Sequence, residues 1–181
     1  SEMCIRDRPT AVRFPKGSVH SDIPAFERRD GVDVLYRGES ADVLLVSVGA
    51  LAQIAVEAAS QSYREGVGVT VVDPRWVKPL PDTLISMAER YKSVVVLEDG
   101  ISHAGIGSAF SEALRKVSNN IPVHSIGVPL EFIEHSKRSE ILSDLGITSQ
   151  NIARDIVAWN SSLKEAMQFQ EHESADRTQN R

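Results

Sequence analysis

The sequence predicts an α/β fold, a three-layer sandwich around a mostly parallel sheet of about five strands. Two observations carry that prediction. Short apolar runs rich in β-branched residues alternate with stretches whose apolar residues recur at helical spacing. The runs are apolar almost throughout rather than at every second position, which is the pattern of strands covered on both faces.

Taken in order, Asp42 to Val48 (DVLLVSV) reads as a strand. Ala50 to Arg64 follows as a helix, with Leu51, Ile54, Ala55, Ala58 and Ala59 on one face and Gln53, Glu57 and Arg64 off it. Gly66 and Gly68 punctuate before the strand Val67 to Val72, which runs out at Asp73-Pro74. Pro81 to Tyr91 forms a helix with Leu84, Ile85 and Ala88 inward, and Ser93 to Leu97 is the third strand. Gly105 to Val117 carries Phe110, Ala113, Leu114 and Val117 at the i, i+3, i+4, i+7 spacing of an amphipathic helix. Pro122 to Ile126 is the fourth strand. A short helix from Lys137 to Asp144 stops at Gly146, and Thr148 can cap a last helix bearing Ile152, Ile156, Trp159 and Leu163. An earlier segment, Gly31 to Tyr36, adds a fifth strand at an edge, where it is free to run antiparallel.

Domain organisation follows from where this periodicity starts and stops. Residues 1–8 (SEMCIRDR) show neither period and are expected to be a non-native leader. Residues 9–30 are expected to be a linker, 31–165 the folded domain, and 166–181 a disordered polar tail.

Composition narrows the function classes. The 181 residues are 41% hydrophobic and 25% charged, ordinary values for a globular domain. A net charge of −5 and the lack of a basic stripe argue against nucleic-acid binding. Cys4 is the one cysteine, so no internal disulfide can form, and the expected location is cytoplasmic. No apolar run reaches the ~18–20 residues of a membrane span.

Ligands of open parallel sheets gather beyond the carboxyl ends of the strands, so those loops hold the candidate chemistry. Gly105-Ile106-Gly107-Ser108 opens a helix and could expose N–H groups to a phosphate, or could serve close helix–sheet packing. Glu98-Asp99 could act as an acid–base pair, or cap a helix and meet a cation. Asp99, His103 and Ser108 are the residue types of a nucleophilic triad, without the nucleophile-elbow context. His103, His124, His135 and His172 lack metal-ligand spacing. Arg13 and Lys16, flanking Pro15, could clamp a phosphate or lie in a solvated linker. Trp76 and Trp159 read as core or interface residues.

Four segments in order, PTAVRFPKGSV, GVTVVDPRWVKPLP, VVVLEDGISHAGIGSA and VPLEFIEHSKRSEILSDLGITSQNIARDIVAW, resemble the C-terminal part of 1-deoxy-D-xylulose-5-phosphate synthases, most closely actinobacterial ones. The resemblance covers about Pro9 to Trp159. Transketolases and the beta subunits of 2-oxo acid dehydrogenases carry relatives of the two middle segments. The resemblance implies a transketolase C-terminal-like domain, preceded at residues 9–30 by a linker and the last strand of a pyrimidine-binding domain. It implies a homodimeric parent enzyme that uses thiamine diphosphate and Mg²⁺ to join pyruvate to glyceraldehyde 3-phosphate, serving isoprenoid-precursor, thiamine and pyridoxal synthesis. Cofactor and metal would be bound by domains absent from this chain, which would then carry no catalytic residue and be inactive alone. Arg13 matches the family motif. Lys16 stands where many members have Arg and would contact the aldehyde's phosphate without the bidentate fork. The contrasting expectations are the equivalent domain of a transketolase or of a 2-oxo acid dehydrogenase beta subunit, and an independent anion-binding module built on the Gly105–Ser108 loop.

Overall fold

The computed structural model describes residues 22–101, 105–117, 120–129 and 138–179. Six strands and five helices follow one another in these segments. They are β1 (Glu27–Arg29), β2 (Val32–Tyr36), β3 (Val43–Val48), α1 (Ala52–Arg64), β4 (Val69–Pro74), α2 (Asp82–Ala88), β5 (Ser93–Ile101), α3 (Ile106–Lys116), β6 (Val123–Val128), α4 (Arg138–Asp144) and α5 (Ser149–Gln179).

They form one sheet in the order β1-β2-β4-β3-β5-β6. Strands β4, β3, β5 and β6 are mutually parallel, as the buried apolar runs require. β2 joins β4 antiparallel, with Val34 opposite Val72, so the expected fifth strand is present. It does not end the sheet. β1 pairs antiparallel with β2, Arg28 opposite Asp33, and residues 27–29 therefore belong to this sheet rather than to a linker ending at residue 30.

Alternation along each strand divides the core in two. Val43, Leu45, Val71, Val95 and Leu97 face α1 and α5, where Leu51, Ala55, Ile152 and Ile156 cover them. Leu44, Val46, Val94 and Val96 point the other way, onto Leu84, Phe110 and Leu114 of α2 and α3. Burying each such side chain is worth ~1.5–3 kcal/mol before chain entropy is set against it.

Helix ends follow the local chemistry. α1 stops where Gly66 takes φ +77°, and the Val67 N–H turns back to the Ser62 carbonyl at 3.1 Å. α5 starts on the Thr148 hydroxyl, which accepts the Asn151 N–H at 3.3 Å. It then runs to Gln179, past residue 165, where the sequence reading ends the fold and expects disorder. Residues 149–179 contain neither Gly nor Pro, so nothing in the backbone chemistry stops the helix. Lys164 to Phe169 are all exposed, so no apolar stripe advertises this extension.

Below the sheet, one carboxylate ties the starts of the strands together. Asp42, 5% exposed, accepts from Lys92 Nζ at 2.7 Å, from the Gly68 N–H at 3.0 Å and from the Ser40 hydroxyl. These bonds link the beginnings of β3, β4 and β5.

Candidate functional site

The connectivity locates the crevice where a ligand belongs. β3 leads into α1 on one face, whereas its parallel neighbour β5 leads into α3 on the other. The carboxyl ends of β3 and β5 thus flank the topological switch point. Gly49 and Asp99 meet there. Gly49 holds φ +85°, and a Cβ on it would lie 2.9 Å from the Asp99 Cβ. Only glycine allows this turn and this closeness together.

Side chains of the chain itself are paired with one another at this end of the sheet. Asp99 takes two hydrogen bonds from the Arg138 guanidinium of α4, at 3.1 and 2.8 Å. This fork geometry gives α4 a charged anchor at the end of β5. Glu98 sits beside it, 5% exposed, and its Oε2 accepts the Ile106 N–H at the start of α3 at 2.9 Å. The two adjacent carboxylates therefore have separate partners, which favours capping and ion pairing over acid–base catalysis.

The same contacts decide between the two readings of Gly105–Ser108. A Cβ on Gly105 would overlap the Glu98 carboxylate, and one on Gly107 would overlap the Ser125 hydroxyl of β6. These glycines let α3 lie against the sheet. The helix N-terminus faces a carboxylate already, so a phosphate there would meet like charge at the point where it needs N–H donors. The described residues accordingly do not fit a magnesium–diphosphate group at this helix. Among them no cluster of three His, Cys, Asp or Glu side chains could hold a metal ion.

The remaining candidates separate. His103 lies outside the described residues, and the Asp99 of the supposed triad is committed to Arg138. His124 of β6 stacks on Trp159 of α5, ring centroids 5.0 Å apart. His135, the side chain of His172, and Arg13 with Lys16 lie outside what the structure describes. Trp76 is 70% exposed in the loop after β4 and so is not core.

Sequence reasoning missed three charged features. Arg138 as the partner of Asp99 and Lys92 as the partner of Asp42 come from remote segments, 39 and 50 residues away. The third is the cross-strand pair Asp33–Asp73 at the sheet's carboxyl end. Arg28 and Arg75 flank Asp33 at 3.5 and 3.1 Å. Burial, aided by the Asp33 charge, pushes the Asp73 carboxyl up to about 6. Alternation of Asp33 with Val32 and Val34 was the available signal for its facing direction.

Comparison with known proteins places this architecture. The family model for the transketolase C-terminal domain matches residues 33–152. The chain belongs to that family. The 1-deoxy-D-xylulose-5-phosphate synthase of Mycobacteroides abscessus is 49% identical over 164 residues, 89% of this chain and 26% of that protein. The Mycobacterium leprae (strain TN) protein of the same name is 49% identical over 158 residues, 86% of this chain and 25% of its own length. The chain thus spans about a quarter of the curated relatives it matches.

Among solved structures, one described as "Split gene transketolase, inactive beta4 tetramer" superposes with a TM-score of 0.67 at 28% identity, over 80% of this chain and 47% of that one. Transketolase from Campylobacter jejuni shares the fold at a TM-score of 0.52 and 17% identity, over 76% of this chain and 20% of that one. A transketolase C-terminal domain is what the six-stranded, mostly parallel sheet builds. No helix among the described residues is long and apolar enough to cross a membrane.

Proposed function

We propose that this chain is the C-terminal domain of a thiamine-diphosphate-dependent 1-deoxy-D-xylulose-5-phosphate synthase and that its own work is structural. The observation that carries the reading is the 49% identity to synthases across 89% of the chain, against 28% for the split-gene transketolase. In the parent, pyruvate and glyceraldehyde 3-phosphate would combine, with thiamine diphosphate supplying the carbanion chemistry and Mg²⁺ its diphosphate anchor. Both groups would be held by other domains. This domain would add area and rigidity to a homodimer in the cytoplasm. Support for a structural role comes from the switch point, where Asp99 is paired with Arg138 and Glu98 accepts the Ile106 N–H.

Arg13 and Lys16, ahead of the described residues, are proposed to reach the aldehyde's phosphate. Lys16 would act as a point charge rather than a fork.

A chimera tests the assignment. Residues 9–165 replace the matching quarter of the Mycobacteroides abscessus synthase, and formation of 1-deoxy-D-xylulose 5-phosphate is followed. A folded chimera that turns over, and whose Lys16→Ala variant has a raised KM for glyceraldehyde 3-phosphate, is the expected result. A folded, oligomeric chimera that binds the cofactor yet makes no product would count against the synthase reading.

A further inference from the structure

Several large apolar side chains are exposed, and most have a local account. Phe26 lies under the Arg37 guanidinium, 5.0 Å from the ring centre. The Tyr63 hydroxyl donates to Glu39. Val117 ends α3, and Met167 and Phe169 belong to the exposed stretch of α5. Trp76 is different. It is 70% exposed, and among the described residues no cation or aromatic ring stacks on it. An exposed tryptophan is the type of side chain that dominates interface energies once it is covered.

Its loop is held in place. The Arg75 N–H donates to the Gly31 carbonyl at 3.0 Å, and the Arg75 guanidinium to Asp33 at 3.1 Å. Pro74, Pro79 and Pro81 each fix a backbone φ. Val77 and Leu80 are half-buried and line the groove between α2 and α3. The root of the loop is therefore packed while the indole stands out in water. Docking a ring already held this way costs little further entropy.

The bonds to Gly31 and Asp33 indicate what covers it. Those residues follow β1 directly, and β1 is where polypeptide arriving from earlier in the sequence joins the sheet. Trp76 stands beside that entry edge. The matching family model is a C-terminal domain, and the chain spans 26% of the Mycobacteroides abscessus protein, so about three-quarters of such a parent lies outside it. That larger body is tethered at the same edge, which makes docking onto Trp76 intramolecular and favours it.

We propose that Trp76 anchors this domain to the preceding part of the same parent polypeptide, its indole entering an apolar pocket there. The contact rests on the reading of the chain as one domain of a longer synthase.

Hydroxyl-radical footprinting, resolved by peptide mass spectrometry, tests it on the 181-residue chain and on the Mycobacteroides abscessus chimera. Trp159, stacked on His124, is the internal reference. Trp76 is expected to oxidise readily in the chain alone and roughly tenfold more slowly in the chimera, as a residue shielded from water at an interface does. Trp76→Ala is expected to leave the thermal midpoint of the chain alone unchanged. In the chimera it is expected to raise hydrogen exchange at the Val77, Lys78 and Leu80 amides to the rate in the chain alone, with Trp76→Phe restoring most of the protection. With p-benzoylphenylalanine replacing Trp76, the expected photo-crosslink is intrachain and runs at monomer mass.

Equal oxidation of Trp76 in the two proteins overturns the proposal, and so does unchanged exchange in a folded Trp76→Ala chimera. If that variant does not fold, the footprint of the unsubstituted chimera decides. A crosslink at dimer mass gives the contact to a second subunit and also overturns it. A folded chimera that protects Trp76 yet makes no product counts against the synthase reading and leaves the contact standing.

Discussion

Arg138 grips Asp99 through both guanidinium nitrogens, at 3.1 and 2.8 Å, and so joins α4 to the end of a central strand. Both side chains keep partial contact with solvent, which limits what the pair contributes. A double-mutant cycle on Arg138→Ala and Asp99→Ala should give a coupling energy of about 1 kcal/mol in urea unfolding, reduced by added salt. A coupling indistinguishable from zero would show that α4 is held by Leu142 and Leu145 packing alone.

Asp42 predicts how the domain responds to acid. Burial pushes its carboxyl up, but hydrogen bonds from Lys92, Ser40 and the Gly68 N–H outweigh burial and hold it at about 2, below its ordinary 3.8. A depressed folded pKa means the unfolded chain binds more protons between those values. The stabilisation is therefore complete above pH 3.8 and is lost as pH falls through 2. Asp42→Asn should cost on the order of 1–2 kcal/mol at neutral pH. Thermal unfolding at stepped pH should show the wild-type advantage shrinking from pH 4 downward.

Asp73 has the opposite sign. Burial and the neighbouring Asp33 raise its carboxyl to about 6, so the folded chain holds more protons between 3.8 and 6. Stability contributed by this group is then present below 3.8 and declines as pH rises through 6. Asp73→Asn should stabilise the domain at pH 7.5 by roughly 1 kcal/mol, after discounting for solvent screening of a half-buried group. The gain should vanish at pH 4. Denaturation midpoints of both chains at the two pH values check this.

A fourth prediction concerns packing at the strand starts. A Cβ on Gly68 would overlap the Ser40 hydroxyl and carbonyl and come within 2.8 Å of the Ser40 backbone nitrogen. Backbone cannot rotate aside, so Gly68→Ala should destabilise by about 2–4 kcal/mol and disturb the bond from Gly68 N–H to Asp42. Ala at Gly66, which has open space but φ +77°, should cost less, about 1 kcal/mol. Equal losses at the two sites would contradict the contact argument.

The parallel strands were legible because each is an unbroken apolar run, as in Val43 to Val46 and Val94 to Leu97, all fully buried. Thr148 announced the start of α5 through its hydroxyl. β1 was not legible: Glu-Arg-Arg has no strand pattern, and its partner β2 supplies the pairing. Nor was the continuation of α5 past residue 165, where Lys164 to Phe169 are exposed and show no period. The candidate site was legible as a place, the loops after β3 and β5, but not as an arrangement. Asp99 and Arg138 are 39 residues apart, and no local pattern pairs a carboxylate with one guanidinium among many.

The central proposal is that a sheet-and-helix unit of this kind, with an ion pair of its own at the switch point, supports chemistry performed in other domains. The purified chain, supplied with thiamine diphosphate, Mg²⁺, pyruvate and glyceraldehyde 3-phosphate, should release no 1-deoxy-D-xylulose 5-phosphate above a protein-free control. Product formed in proportion to added chain would contradict that claim.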